Sequence, residues 1–526
     1  MANGPILEEK SFREKNAQIQ AEKIKHTFTR PNAFGMSELW VLLSSCFYWA
    51  WFDTAIFTPT LLAFADPLGN LYFLHVTIAM ASGAMLLLFG GLRPELYDHY
   101  VRNRFSPMID AVTASAASAL TLVGGLLSSA ILVVLAAIIM GASCSSGLLR
   151  WAHVYSRRGM QSSALLISLA IVFGVLIDAL VMGLTPGFGA AFIICMPLVA
   201  FAIGFFLTNV GSDVFVIEPE CQSSGQVVGE GAPLSVRDIF KGQRRTFFGL
   251  SLPLVASFAL FGLSFGYIQC NSIVYLDQLG AGFSFLLIAS RGITALAVFT
   301  CIYLWPQRIY LVFRVGIMVG IAGFSLIPLL SMFLGNSTVG IVVSCAIMIV
   351  GYTTFDIVTW TILGEISFAT RRSATRYFGP GRFIVHISIV VGYLATMVIS
   401  MNAQDPRVVE GFAITIGYLL VIAVMLLLDE NSALWKLIKL RATGVNPADA
   451  VDETVDARRA KAVRLVETYG LTKRESEILD LLIAGRSRSR IAEILVISEN
   501  TVGTHIQQLY KKLNVHSLQE LLDMLE

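Results

Sequence analysis

Charge is scarce in this sequence. Only 14% of its 526 residues are Asp, Glu, Lys or Arg, while 55% are hydrophobic, and the mean hydropathy is +0.70. Soluble domains carry about 25% charged residues, so much of the chain does not face water. A net charge of +2 defines no partner; the placement of the charges does. Cysteines are few and scattered singly (Cys46, Cys144, Cys195, Cys221, Cys270, Cys301, Cys345). With no CxxC or Cys/His cluster among them, neither a disulfide framework nor a metal site is expected. No P-loop, no Gly-x-Gly-x-x-Gly after a strand and no Ser/His/Asp spacing occurs, so the sequence predicts no enzyme and no cofactor. The first 35 residues are polar and have no apolar core, so no cleavable signal peptide is expected there.

Long apolar runs are what the chain has instead. A helix needs about 20 apolar residues to cross the hydrocarbon core of a bilayer. Twelve runs qualify, at 37–61, 71–92, 107–125, 128–149, 162–183, 187–208, 247–269, 282–304, 309–333, 338–364, 380–401 and 409–428. The third, MIDAVTASAASALTLVGG, is diluted by Ala, Ser and Thr, the residues expected where a helix packs closely among others.

The basic residues alternate from loop to loop. Lys10, Arg13, Lys15, Lys23, Lys25 and Arg30 precede the first run. Alternate loops then hold Arg93, Arg102 and Arg104; Arg150, Arg157 and Arg158; Arg237, Lys241, Arg244 and Arg245; Arg308; and Arg371, Arg372, Arg376 and Arg382. The intervening loops hold Arg407 alone. Because cytoplasmic loops carry the Lys and Arg, both termini are expected in the cytoplasm and the chain in the inner membrane of a bacterium.

The longest internal loop, 210–246, separates six runs from six. In this 6+6 layout the chain resembles the major facilitator superfamily, whose loop after the second helix has a Gly-x-x-x-Asp-Arg-x-Gly-Arg-Arg-like motif. Here GGLRPELYDHYVRNR keeps Gly91, Asp98, Arg102 and Arg104 at loose spacing, and the equivalent WPQRIY of the second half is degenerate.

After Leu428 the composition turns polar. A linker containing GVNPADA, where Gly444 and Pro447 stop any helix, leads through DETVDARRAKAVRLVE to a last unit. Start and stop signals divide that unit into four helices. Thr472 caps the first, with Glu475 as its capping-box partner, and Gly485 ends it. A second runs from about Ser487 to Leu495. Ser498 caps a third, whose Val502, Ile506, Leu509 and Leu513 form a buried stripe opposite Asn500, Gly503, Thr504, Gln507, Gln508 and Lys511. A fourth begins near Ser517.

A short helix, a tight turn and a helix with a polar outer face make helix-turn-helix geometry. The stretch closely resembles the LuxR-type (GerE-like) DNA-binding domain through Leu471-Thr472-x-Arg474-Glu475, Ala484-Gly485, Ile491-Ala492, Ser498-x-x-Thr501-Val502-x-x-His505 and Lys512-Leu513-x-Val515. The resemblance implies binding of double-stranded DNA, as a homodimer on paired half-sites. Phosphate contacts are expected from Thr501, His505, Lys511 and Lys512 with Arg488 and Arg490, and base contacts from Gly503, Thr504 and Gln507. At Gly503 the family usually has a basic residue. The fourth helix, with Leu518, Leu521, Leu522 and Leu525, is the expected dimer contact; the competing reading is that these leucines complete the domain core. The receiver domain that precedes many such domains is missing.

Ionisable residues inside a bilayer are expensive and mark functional sites. Here they are Asp53, Asp110, Asp178, Arg291, Arg314 and Asp356, with His75 and His386. Trp49 and Trp51 lie just before Asp53 in the sequence. A ligand site of Trp49, Trp51, Asp53, Asp178, Arg291 and Asp356 would suit a small aromatic or carboxylate molecule; the competing readings are ion pairs that only fix packing and tryptophans that face lipid.

The expected protein is therefore all-α: a polytopic membrane bundle of about twelve transmembrane helices (6+6), followed by a small four-helix helix-turn-helix domain. Residues 1–36 form a cytoplasmic tail, 37–428 the bundle, 429–465 a linker and connecting helix, and 466–526 the DNA-binding domain. The partners expected are double-stranded DNA, a small-molecule ligand, membrane lipid and a second copy of the chain. The whole resembles membrane-bound LuxR-type regulators. Two alternatives compete: a transporter with a regulatory tail, and a scaffold that tethers DNA to the membrane.

Overall fold

A computed structural model describes residues 36–65, 68–209, 246–279, 281–334, 338–370, 372–402 and 406–427. It also describes 462, 465–466, 468–483, 488–495, 497–515, 520–521 and 524. The chain divides into two compact units, Met1–Ala442 and Thr443–Glu526.

In the first unit, one half contains α1 (Met36–Phe57), α2 (Leu68–Leu92), short α3 (Pro94–Arg102), α4 (Ser106–Leu126), α5 (Ala130–Ser156), α6 (Met160–Gly183) and α7 (Pro186–Asn209). The other contains α8 (Leu252–Leu279), α9 (Ala281–Leu304), α10 (Ile309–Leu334), α11 (Thr338–Thr370), α12 (Ala374–Asn402) and α13 (Pro406–Leu427). All of these but α3 run between 21 and 33 residues, enough to cross a bilayer. Ten segments also meet the hydropathy of a span within the described residues. Ile131, Phe188, Ile293 and Tyr418 are each more than two-thirds exposed, as lipid-facing side chains are. The protein is a multi-pass membrane protein.

The two halves pack alike. With the long helices numbered as spans one to twelve, span 1 packs on 5 and 6, span 2 on 4, and span 3 on 4 and 6. In the second half 7 packs on 11 and 12, 8 on 10, and 9 on 10 and 12. The contacts between halves obey the same rule, since span 2 meets 11 while 5 meets 8. The 6+6 layout is therefore a repeated packing scheme as well as a count. Small residues permit its closest approaches. A Cβ on Gly320 of α10 would lie 2.2 Å from the Gly351 Cα of α11, and one on Gly91 at the end of α2 would lie 2.5 Å from Pro380 Cδ of α12. On α4 the expected small-residue face is buried through Ala111, Ala114, Ala117, Ser118 and Thr121.

Three expectations change. Residues 247–251 begin the seventh apolar run but form a hairpin with Thr246, β1 (Thr246–Phe247) paired antiparallel with β2 (Leu250–Ser251). Phe248 and Gly249 at its tip have φ of 51° and 79°, the pair of positive angles a type I′ turn needs. Arg150 and Arg382, assigned from sequence to loops, lie inside α5 and α12 with 4% and 3% exposure. The helices continue through these charges because each meets a buried carboxylate.

In the second unit α14 (Lys473–Ile483), α15 (Arg488–Leu495) and α16 (Glu499–Leu513) enclose a core that includes Ile478, Leu482, Ile491, Val502, Ile506, Leu509 and Leu513. The capping box forms as expected: the Glu475 carboxylate accepts from Thr472 N at 2.7 Å, and Thr472 Oγ1 accepts from Glu475 N at 3.3 Å. Ser498 Oγ accepts from Thr501 N at 3.1 Å, capping α16. Asn514, with φ of 55°, ends that helix in the left-handed conformation, and Val515 N returns to Tyr510 O at 3.0 Å, a Schellman-type stop. Gly485 and the Gly444–Pro447 linker lie outside the described residues. So do Leu518, Leu522 and Leu525 of the expected fourth helix, whereas Leu521 is fully buried in the domain core.

Candidate nucleic-acid interface and membrane cavity

The outer face of α16 is polar because the apolar stripe takes every inward position. Thr501, Thr504, Gln507, Gln508, Lys511 and Lys512 are exposed, and Gly503 and His505 half-buried. Nothing lies within 4 Å of where a Gly503 Cβ would stand, so the helix there presents bare backbone. The Nδ1 of His505 has no hydrogen-bond partner among the described residues. Arg488 is exposed at the start of α15; the side chain of Arg490 lies outside those described.

Lys512 is less free than its sequence position suggests. Its ammonium donates to Glu475 at 2.7 Å and reaches Gly470 O at 3.5 Å. Burial pushes the Glu475 carboxyl up, but the Lys512 and Thr472 hydrogen bonds outweigh it and hold the carboxyl below its ordinary value. Arg474 donates to Glu477 at 2.7 Å and to the Leu495 carbonyl at 2.8 Å, tying α14 to the end of α15. Thus Thr472, Arg474 and Glu475 hold the fold together, and the candidate interface is the face of α16.

Within the bundle, a cavity of about 370 Å³, counting its opening, lies between the halves. Trp49, Phe52, Asp53 and Phe57 line it from α1, Met80 from α2 and Leu148 from α5. The second half contributes Phe265, Arg291, Tyr352, Asp356, Arg382, His386 and Ile389. Arg291 donates to Asp53 across the halves. Arg382 donates to Asp356 at 2.6 Å, and its guanidinium lies 4.6 Å from the centre of the Trp360 ring. In this state the space admits only water-sized molecules.

The cavity thus gathers Trp49, Asp53, Arg291 and Asp356. It does not include Trp51, which is fully buried and donates its indole N–H to Ser118 Oγ at 3.0 Å. Both tryptophans face protein, not lipid. Asp178 is 2% exposed on α6 and lies outside the lining, although near enough to feel the charges of Asp53 and Arg291. Asp110 sits elsewhere, gripped by Arg150 through Nε at 3.0 Å and Nη2 at 2.5 Å, with Ser146 and Tyr100 each donating at 2.8 Å. His75 bonds the Ala55 carbonyl at 3.0 Å, and Arg314 is exposed. Arg382 was missed from sequence as a cavity residue. The eleventh apolar run, 380–401, already contains Arg382, and that was the signal that the helix passes through it.

Asp98, from the loop that resembles the major-facilitator motif, accepts from Thr375 at 2.7 Å and lies 3.1 Å from His153. This cluster joins α3, α5 and α12 and therefore links the two halves.

Residues 470–525 match the bacterial regulatory proteins of the luxR family (GerE). Over 49 residues the chain is 56% identical to the CsgBAC operon transcriptional regulatory protein of Escherichia coli, a match covering 9% of this chain and 23% of that protein. It is 50% identical over 52 residues to the uncharacterized response regulatory protein YgeK of Escherichia coli, covering 10% and 35%. The HTH-type transcriptional regulator MalT of Vibrio campbellii is 43% identical over 56 residues, covering 11% and 6%. The chain thus spans well under half the length of these relatives. The human organic anion transporter MFSD10 (TETRAN) has a similar fold, with a TM-score of 0.50 at 13% identity over 74% of this chain and 98% of that one. The carboxyl-terminal unit is a luxR-family helix-turn-helix domain, which implies binding of double-stranded DNA. It is carried on a membrane module of major-facilitator-like fold.

Proposed function

We propose that this protein is a membrane-anchored transcriptional regulator. The bundle senses a small molecule and the carboxyl-terminal domain controls target genes. The observation that carries this reading is the union of a luxR-family domain with a bundle whose cavity is lined from both halves by two ion pairs and aromatic rings. A molecule held between the halves favours the arrangement that fits it, and it shifts the balance only through differential affinity for the two states. The linker around Gly444–Pro447 then changes how the domain is presented. Both termini lie in the cytoplasm of an inner membrane, by the bias of Lys and Arg among the loops, and lipid covers the apolar outer face of the bundle.

On DNA, Thr501, His505, Lys511, Lys512, Arg488 and Arg490 contact phosphate. Gly503, Thr504 and Gln507 face base edges, two copies occupying paired half-sites. Trp49, Asp53, Arg291 and Asp356 line the ligand site; Trp51 packs behind it and Asp178 tunes its charge. The test compares transcripts of cells carrying the intact chain with those lacking residues 466–526. A small set of genes gained or lost supports regulation. Transcripts indifferent to the deletion would sink it and favour the second reading, a major-facilitator-type transporter with a regulatory tail. The fold favours that alternative, and it predicts solute uptake that persists without the tail.

A further inference from the structure

The cavity has more hydrogen-bond donors than acceptors, and one buried guanidinium edge in its wall meets no acceptor among the described residues. Arg150 shows what a filled edge looks like: Nε and Nη2, the two groups whose N–H bonds point the same way, both reach Asp110 Oδ2. Arg382 is as deeply buried but is held only through Nη1, by Asp356 Oδ1. Its Nε and Nη2 are buried and meet no acceptor among the described residues. Burying such donors without partners is costly, so the edge is built for something that arrives. The Trp360 ring lies against the guanidinium and leaves its edge as the place to bind.

The neighbours say what arrives. His386, one turn along α12, lines the same cavity with Nδ1 unpartnered, and so is Arg291 Nε. The two cavity carboxylates, Asp53 and Asp356, are already paired. A molecule entering must therefore bring acceptor oxygen, either one atom shared by Nε and Nη2, as Asp110 Oδ2 is by Arg150, or two coplanar atoms that meet them together. A carboxylate does this. The same cavity is lined by Phe52, Phe57 and Phe265, with Phe265 stacked on Tyr352 at a centroid distance of 3.6 Å, a lining that suits a flat apolar body.

We propose that, in an arrangement of the halves more open than this one, the Nε/Nη2 edge of Arg382 anchors the carboxylate of a small aromatic acid in the central cavity. The proposal deepens the sensor reading and rests on it.

The full chain, purified into lipid nanodiscs, is titrated with phenylacetate, its neutral counterpart 2-phenylethanol, and phenyl phosphate. The readout is tryptophan fluorescence, with Trp49 and Trp360 beside the site. Phenylacetate should change the signal saturably, and the alcohol should bind at least about 10-fold more weakly, having lost one charge-assisted pair. Arg382→Lys keeps the charge but not the planar fork and should weaken phenylacetate by about 10-fold or more. Should that variant fail to fold, Asp356→Asn with Arg382→Gln removes the pair together, strands no charge and should fold without binding. Equal binding of alcohol and acid, tighter binding of the phosphate, or no binding of phenylacetate to folded protein would overturn the proposal. So would unchanged binding by either folded variant. Acid binding with unresponsive transcripts would overturn the sensor reading and keep the site; tail-dependent transcripts without acid binding would do the reverse.

Discussion

The two units of this chain place charge on opposite sides of their walls. In the bundle, Ile131, Phe188 and Tyr418 point outward while Asp110, Arg150, Asp356 and Arg382 are buried in pairs. In the carboxyl-terminal unit Val502, Ile506, Leu509 and Leu513 are inside, and Thr504, Gln507 and Lys511 face out. The same amino acids serve both, and the solvent decides their direction. Lipid offers an ion nothing, so a charge turns inward to a partner; water rewards the opposite arrangement.

The sharpest way to break this comparison is to strand a buried charge. Arg150→Leu should cost about 3–5 kcal/mol by leaving Asp110 unpaired, seen as a much lower melting temperature in nanodiscs. Adding Asp110→Leu should return most of the loss. A single variant as stable as the parent would mean that water already reaches the pair.

In the other unit the corresponding damage is a hole. Leu509→Ala should cost about 2–4 kcal/mol, abolishing DNA binding while the melting of the bundle stays where it was. A smaller loss follows from Glu475, whose carboxyl is held below its ordinary value near 4.5. Such a group contributes fully above its unfolded value, and its contribution is lost as pH falls through the lowered one. Glu475→Gln should therefore flatten the acid limb of domain stability below about pH 4.5 and cost about 1 kcal/mol at neutral pH, because Lys512 is partly exposed. An unchanged acid limb would contradict the capping network. The smallest effect belongs to Gly503→Ala, which should stabilise α16 by up to ~1 kcal/mol, since the added methyl meets nothing. A shift in the denaturation midpoint of the domain checks it.

Much of this was legible in the sequence, for local reasons. Twelve apolar runs declared the spans. Thr472 with Glu475, and Ser498 three residues before Thr501, declared helix starts through bonds that close within one turn. What escaped depends on distance. Arg150 and Arg382 look like loop charges until Asp110 and Asp356, on other helices, are brought beside them. Trp51 could not be separated from Trp49 by sequence, because only packing sends one toward Ser118 and the other toward the cavity. The hairpin at 246–251 was hidden by its own apolar residues. Which cavity groups meet a ligand is not written in any local pattern either, since the lining comes from seven helices of both halves.

The bond between Lys512 and Glu475 has a consequence for how this domain would meet the polyanion it is built for. The condensed counterions belong to the duplex, and a cation already paired within the protein neutralises less phosphate and so releases fewer of them. Each phosphate neutralised adds about 0.9 to the slope of log affinity against log salt. Lys511 should appear in that slope in full. Lys512, which meets phosphate while still shared with Glu475, should add less than Lys511, leaving a grip on DNA less sensitive to ionic strength than two free lysines would give.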